Sequence, residues 1–204
     1  SLYTNSTGSY NVAIGKDALY LNASAGNNVA IGKDALYTAS KSTGNVAIGS
    51  EAGKYLFGNE KDSGSWSWLG QNNVLIGQGA GKNHPTQNSN VCIGYEAGMG
   101  GMSPTLYDTA SDGWTNNDHY NFENTFIGWR AGRNCGDNCT YNTGVGKQAL
   151  TNISTAKNSV ALGWHAGYSI TSGWNNTLIG YVSGDAITTG VNNTALGSSS
   201  LGSN

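Results

Sequence analysis

A repeat of about seventeen residues runs along the chain and constrains its fold more than any other feature. The decamer NVAIGKDALY occupies residues 11–20 and again residues 28–37. Ten copies of a shorter motif end in a glycine, the anchor glycine, and six of the nine intervals between anchors are 17 residues long. Such a unit stacks on copies of itself. The anchors are Gly15, Gly32, Gly49, Gly77, Gly94, Gly128, Gly146, Gly163, Gly180 and Gly197.

Each copy reads as a short strand, Asn-Val-Ala-Ile-Gly in the first copies, followed by a turn-rich spacer. Seventeen residues are too few for a propeller blade but match one coil of a β-solenoid. We therefore predict one all-β domain over residues 1–204, of about ten coils, with loop insertions at about 54–72 and 99–123. The recurring asparagines should form an amide ladder, and the anchor glycine should mark a corner. Both ends cut the repeat, so we expect a slice of a longer fibre.

Side chains alternate within each strand, which gives two apolar faces. The flanking positions, such as Val12 and Ile14, are mostly β-branched, and we assign them to the interior of the coil. The middle position then faces outward, yet it holds only small or apolar residues. So large an apolar stripe predicts a subunit interface, and the alternative is that the chain's own spacers cover it. The predicted interface residues are Ala13, Ala30, Ala47, Leu75, Cys92, Phe126, Ala161, Leu178 and Ala195.

The motifs NVAIG, NSVALG and NNTALG resemble repeats in the head domains of trimeric autotransporter adhesins, and NTLIGYVSG and NVAIGKDAL resemble repeats of phage and viral tail fibres. The resemblance implies a left-handed parallel β-roll, three chains about a threefold axis, and the middle residue of each strand near that axis. It also implies a non-enzymatic homotrimeric fibre segment that attaches to a glycan or protein receptor on a host cell. Its location would be extracellular, on a virion tail fibre or a bacterial surface. The longer repeat leaves adhesin and tail fibre undecided.

The two insertions hold the candidate receptor contacts. Both are rich in aromatic residues, the second has aspartates among them, and binding residues are often found in loops on a rigid scaffold. The alternatives are that these aromatics cap the roll or fill a groove between subunits. The predicted ligand-binding residues are Trp66, Trp68, Tyr107, Trp114, His119 and Tyr120.

Other functions are less consistent with the composition. A net charge of −2 argues against nucleic acid, and no apolar run is long enough for membrane insertion. A polysaccharide-degrading tailspike would need paired carboxylates, and several of the twelve acidic residues instead follow an anchor glycine, where we expect them to be solvated. An ice-binding solenoid would need threonines in register on one face, and the threonines of the spacers are not in register. A purely structural stalk is a further alternative. The carboxylate pairs considered are Asp108 with Asp118 and Asp112 with Glu123.

Histidines and cysteines show no metal-ligand pattern. His84, His119 and His165 have no His or Cys partner at suitable spacing, so we expect neither metal nor cofactor. Cys135 and Cys139 enclose Gly-Asp-Asn, a turn that could bring the sulfurs close enough for a disulfide. Two reduced thiols are the alternative.

Overall fold

Short parallel strands form the framework of the molecule. The structure is a computed structural model, and it describes residues 1–56, 70–83, 87–100, 123–136 and 138–202. Within these residues ten strands lie side by side in chain order, joined by nine turns of a β-solenoid. The predicted all-β repeat fold is confirmed. The strands are β1 Val12–Ile14, β2 Val29–Ile31, β3 Val46–Ile48, β4 Val74–Ile76, β5 Val91–Ile93, β6 Thr125–Ile127, β7 Thr143–Val145, β8 Val160–Leu162, β9 Thr177–Ile179 and β10 Thr194–Leu196.

Equivalent positions of the repeat pair with each other from one coil to the next. Ala13 pairs with Ala30, and the same register holds up to Leu178 and Ala195. The two long intervals keep it as well, because Ala47 pairs with Leu75 and Cys92 pairs with Phe126. Each sequence position of the repeat therefore forms a straight column along the solenoid.

The predicted asparagine ladder runs beside the strands. The side-chain oxygen of Asn28 accepts hydrogen bonds from the backbone N–H and the side-chain amide of Asn45, at 2.9 and 3.2 Å. The amide of Asn28 also donates to the carbonyl of Ser42 at 2.8 Å, so this buried side chain is well satisfied. The ladder continues to Asn193 and is interrupted by Ser159, which offers only a hydroxyl. These bonds fix the vertical register of the coils.

The anchor glycines form the corner predicted from the sequence. Gly49 has a φ of +134°, and a Cβ atom on it would lie 2.6 Å from the carbonyl carbon of Gly77 in the next coil. Only glycine combines that backbone conformation with so close an approach of two chains. The motif therefore ends in glycine because the coils touch at this corner.

Volume is balanced between two positions inside the roll, the middle residue of the strand and the fourth residue after the anchor. In the coils of β1 and β2 the middle residue is alanine, and the fourth position holds Leu19 or Leu36, both fully buried at positive φ. Where the middle residue is Leu178, the fourth position is Gly184. No coil has a large residue at both positions, so the narrow interior accommodates at most one large side chain at each level. Where both positions are small, as at Ala47 and Gly53, side chains of the neighbouring coils fill the space.

Candidate functional surfaces

The predicted interface residues lie in the core of the single chain, so the assignment of the two strand faces was wrong. Leu75 is completely buried and Phe126 is 1% exposed, packed against the segment that follows each anchor. The alternative, that the chain's own spacers cover this face, is closer to what the structure shows. No second chain can reach these side chains. The positions concerned are Ala30, Ala47, Leu75, Cys92, Phe126, Ala161, Leu178 and Ala195, all buried, and Ala13, half-buried against the same core.

The flanking positions of the strands form the outer face of the sheet instead. None of them is buried, and the exposed fraction reaches 58% at Ile14 and 76% at Leu196. They make two parallel rows of β-branched or leucine side chains, which we call the outer apolar face. Its first row is Val12, Val29, Val46, Val74, Val91, Thr125, Thr143, Val160, Thr177 and Thr194, and its second row is Ile14, Ile31, Ile48, Ile76, Ile93, Ile127, Val145, Leu162, Ile179 and Leu196.

The predicted receptor contacts lie outside the described residues. The same is true of the predicted carboxylates except Glu123, whose side chain is exposed. Two of the three histidines, His84 and His119, also fall outside them. The predicted contacts concerned are Trp66, Trp68, Tyr107, Trp114, His119 and Tyr120, and the carboxylates are Asp108, Asp112 and Asp118.

Cys135 and Cys139 are not joined by a disulfide, which corrects the bridge considered from the sequence. Cys135 is 2% exposed and occupies the core position that Ile153 holds in the next coil. Cys139 is fully buried and accepts a hydrogen bond from the side-chain amide of Asn142 at 3.4 Å. Both sulfurs thus take the place of apolar core atoms, a common use of cysteine. Cys92 is buried as well, and burial raises the pKa of its thiol to about 12.

The carboxylates that follow the anchor glycines are paired rather than simply solvated. Glu51 accepts from Lys82 at 2.6 Å and from Lys54 at 3.0 Å, and Lys54 also contacts Asp34 at 3.0 Å. The hydrogen bond from Lys82 is the main reason that the pKa of Glu51 lies below its ordinary value. These pairs connect neighbouring coils on the outer surface.

A column of aromatic residues lies immediately after the anchor glycines of β5 to β9. Tyr95 and Trp129 stack with ring centroids 6.2 Å apart, and Trp164 and Tyr181 stack at 4.8 Å. Lys147 occupies the level between the two pairs, with Nζ 5.1 Å from the centroid of Trp129. We call these five residues the aromatic column. This column was not predicted from the sequence, because its members are 17 to 34 residues apart. The signal is the residue after each anchor, compared copy by copy.

Charged residues flank the aromatic column. The guanidinium carbon of Arg130 lies 4.3 Å from the ring centroid of Trp129, a cation–π geometry. Glu96 accepts hydrogen bonds from Nε of Arg130 at 2.8 Å and from Nε of Arg133 at 2.7 Å. Burial of Glu96 raises its pKa, but the two arginines more than offset that effect, so its pKa is lowered and the carboxylate stays charged.

His165 extends the stack sideways. Its ring lies 3.7 Å from the ring centroid of Trp164 and 4.5 Å from that of Tyr168, and Nε2 is 2.7 Å from the side-chain oxygen of Gln148. Burial, and secondly the charge of Lys147, lower the pKa of His165. The charged imidazolium is therefore disfavoured, and the ring is part of the stacked surface.

Neither a metal-binding cluster nor a membrane-spanning helix is found in the described part of the chain. It contains no group of three or more His, Cys, Asp or Glu residues that could hold a metal ion. It also contains no helix that is long and apolar enough to cross a bilayer. No protein-family model matches the sequence, and searches of curated proteins and solved structures give no match.

Proposed function

We propose that this chain is a segment of a homotrimeric extracellular fibre that attaches to a receptor on a cell surface, and that it has no enzymatic activity. The observation that supports the proposal best is the outer apolar face. Twenty side chains, ten in each row, lie on one face of a regular parallel sheet, and none of them is buried by the chain itself. Parallel sheets in soluble proteins normally have both faces covered. A set of about 20–30 residues is also the usual size of one side of a stable interface.

The trimer in this proposal is built on the outer apolar face, not on the middle residues of the strands. Three copies related by a threefold axis would each turn their Val and Ile rows toward that axis. The ridged surface of in-register β-branched side chains favours such packing, because each row repeats at the strand spacing of about 4.8 Å. The motif resemblance to adhesin heads and tail fibres is consistent with the same number of chains.

The measurement that tests the assembly is the molar mass in solution by light scattering. We expect a mass near three times the 21.2 kDa of one chain. Ile76→Lys places a charge in the middle of the outer apolar face and should give a folded monomer, because three lysines would meet near the axis without partners. Thr155→Lys, on an exposed spacer position, is the matched control and should leave the trimer intact. A monomeric native chain, or a trimeric Ile76→Lys variant, would contradict the proposed interface.

The attachment part of the proposal depends on the insertions at about 54–72 and 99–123. Replacing each insertion with an ordinary spacer of the repeat should abolish binding to the target cell while the trimer persists. Undiminished binding would favour the alternative of a structural stalk.

Ice binding is a second candidate for the same face. The structure places Thr125, Thr143, Thr177 and Thr194 in one outward row, in register with six valines. These threonines lie in the strands, whereas the spacer threonines are out of register. A native chain that is monomeric and inhibits ice recrystallisation would favour this function over the fibre.

A further inference from the structure

We infer that the aromatic column is a binding surface for an acidic, elongated carbohydrate chain. The surface lies within a single chain, so the inference goes beyond the fibre proposal and does not depend on trimer assembly.

The exposure of the rings is the first reason. Tyr95 and Trp129 are each 37% exposed and Tyr181 is 56% exposed. The fold does not require aromatic residues at this position, because the first four coils have Lys16, Lys33, Ser50 and Gln78 there on the same backbone. Large exposed aromatic residues grouped on one surface mark an interaction site.

The charge of the surface is the second reason. Arg130, Arg133 and Lys147 are three cations along the column, and Glu96 is shared by the two arginines. Among the described residues Asp185 is the other carboxylate near the column, since its charge acts on His165. In this described part of the surface, three cations against two carboxylates leave one surplus positive charge, on a chain whose net charge is −2. Lys147 forms no ion pair with a carboxylate among the described residues. It is therefore available to a ligand anion.

The shape of the surface is the third reason. Five consecutive coils place the column in a straight line of about 19 Å along the solenoid, which fits an extended ligand. Tyrosine and tryptophan combine an apolar ring with a polar hydroxyl or N–H, and sugar residues likewise have apolar C–H faces and hydroxyl edges. A glycan with an occasional carboxylate matches both the rings and the few cations.

Single-stranded nucleic acid, the other ligand that uses aromatic residues and cations, fits less well. One surplus positive charge among the described residues is too little for a ligand with a phosphate at every residue.

The test is binding of fluorescently labelled oligogalacturonate to the native protein by fluorescence anisotropy. Unlabelled cello-oligosaccharide and single-stranded DNA serve as competitors. We expect oligogalacturonate to bind, sodium chloride to weaken the binding, and both competitors to be much less effective. Trp129→Gln introduces the residue that follows the anchor glycine in the coil of β4, and it should weaken binding by at least about tenfold. Lys147→Gln should weaken it and reduce its dependence on salt.

Trp174→Ser is the matched control, because Trp174 is 46% exposed and lies outside the column. It should bind as the native protein does. The inference is wrong if oligogalacturonate does not bind, if Trp174→Ser weakens binding as much as Trp129→Gln, or if DNA competes equally well. It is also wrong if Trp129→Gln changes the molar mass, since the column would then be a contact between subunits. Binding by a monomeric native chain would retain this inference and reject the trimer.

Discussion

The side chain of Leu178 lies in the space that a Cβ atom on Gly184 would occupy. Such an atom would be 2.6 Å from Cδ2 of Leu178 and 2.8 Å from Cδ1. In β1 the arrangement is the reverse, with Ala13 in the strand and the buried Leu19 at the fourth position after the anchor. The two positions therefore share one volume, which the ninth coil fills from the strand and the first coil fills from the segment after the anchor.

Exchanging the two sizes in the ninth coil tests this relationship. Leu178→Ala should lower the free energy of unfolding by about 2–5 kcal/mol, because it leaves a cavity. Gly184→Leu alone should cost about 1–3 kcal/mol through overpacking. The double variant recreates the pattern of β1. Its loss of unfolding free energy should therefore be smaller than the sum of the two single losses by about 1 kcal/mol or more. Urea unfolding of the four proteins measures the coupling, and purely additive effects would refute the shared volume.

Completing the asparagine ladder should stabilise the chain. Ser159 accepts the backbone N–H of Asn176 through its hydroxyl at 3.3 Å, whereas the asparagines elsewhere accept two bonds from the next coil. Ser159→Asn restores the amide and should raise the free energy of unfolding by about 0.5–1.5 kcal/mol. Thr155→Asn, on the exposed spacer, is the control and should have little effect. A loss of stability in Ser159→Asn would mean that this level of the ladder has no room for an amide.

Acid should weaken the ion pairs of Glu51. Its pKa in the folded chain is lowered from the ordinary value of 4.5, chiefly by the hydrogen bond from Lys82. A lowered carboxyl pKa stabilises the fold at pH values above 4.5, and this stabilisation is lost as the pH falls through the folded pKa. Glu51→Gln should therefore lower the Tm at pH 7 but reduce the further loss between pH 5 and about pH 3. Glu123→Gln, at an exposed position, is the control. A dependence of the Tm on acid pH that is unchanged in Glu51→Gln would argue against the pairing.

The three thiols should be protected in the folded chain. Cys92, Cys135 and Cys139 are at most 2% exposed, and the thiolate needed for reaction is disfavoured at Cys92 because burial raises its pKa to about 12. A thiol reagent should label none of them quickly at pH 8 and should label all three after unfolding in urea without reductant. Labelling of a single thiol under the same conditions would instead reveal a bridge between Cys135 and Cys139.

Much of the backbone follows from the sequence. The period fixed by the anchors predicted a strand at each Val-Ala-Ile, and the amide ladder through Asn28 and Asn45 was expected from identical residues in register. The anchor corner was expected as well, because glycine alone recurs there. These features depend on contacts between equivalent positions, which a repeat makes visible.

The direction of the two strand faces was not predictable from polarity, because both faces are apolar. The sizes of the side chains indicate better than their polarity which face is interior. A narrow roll has a small residue, Ala30, opposite Leu36, and a large residue such as Phe126 requires glycine at position 132. Pairs such as Ala with Leu in β1 and Leu with Gly in β9 mark the middle position as interior, whereas the flanking positions, which are β-branched or leucine throughout, show no such compensation.

The candidate binding surface was missed for a different reason. Tyr95 and Trp129 are 34 residues apart, and the aromatic residues in the insertions were more conspicuous because they lie close together in the sequence. Only the register of the sheet shows that Trp129, Lys147 and Trp164 occupy successive levels of one column. Aligning the repeat position by position before searching for sites would have found it.

The in-register pairing of the coils has a mechanical consequence. The backbone hydrogen bonds between strands lie along the solenoid, so a pulling force along that axis passes through every boundary between coils in series. Each coil contacts only its neighbours, so no other part of the chain shares the load across a given boundary. The tensile strength of such a rod is then set by its weakest boundary rather than by the sum of its bonds, and the gap in the amide ladder at Ser159 marks one boundary with fewer bonds than the rest.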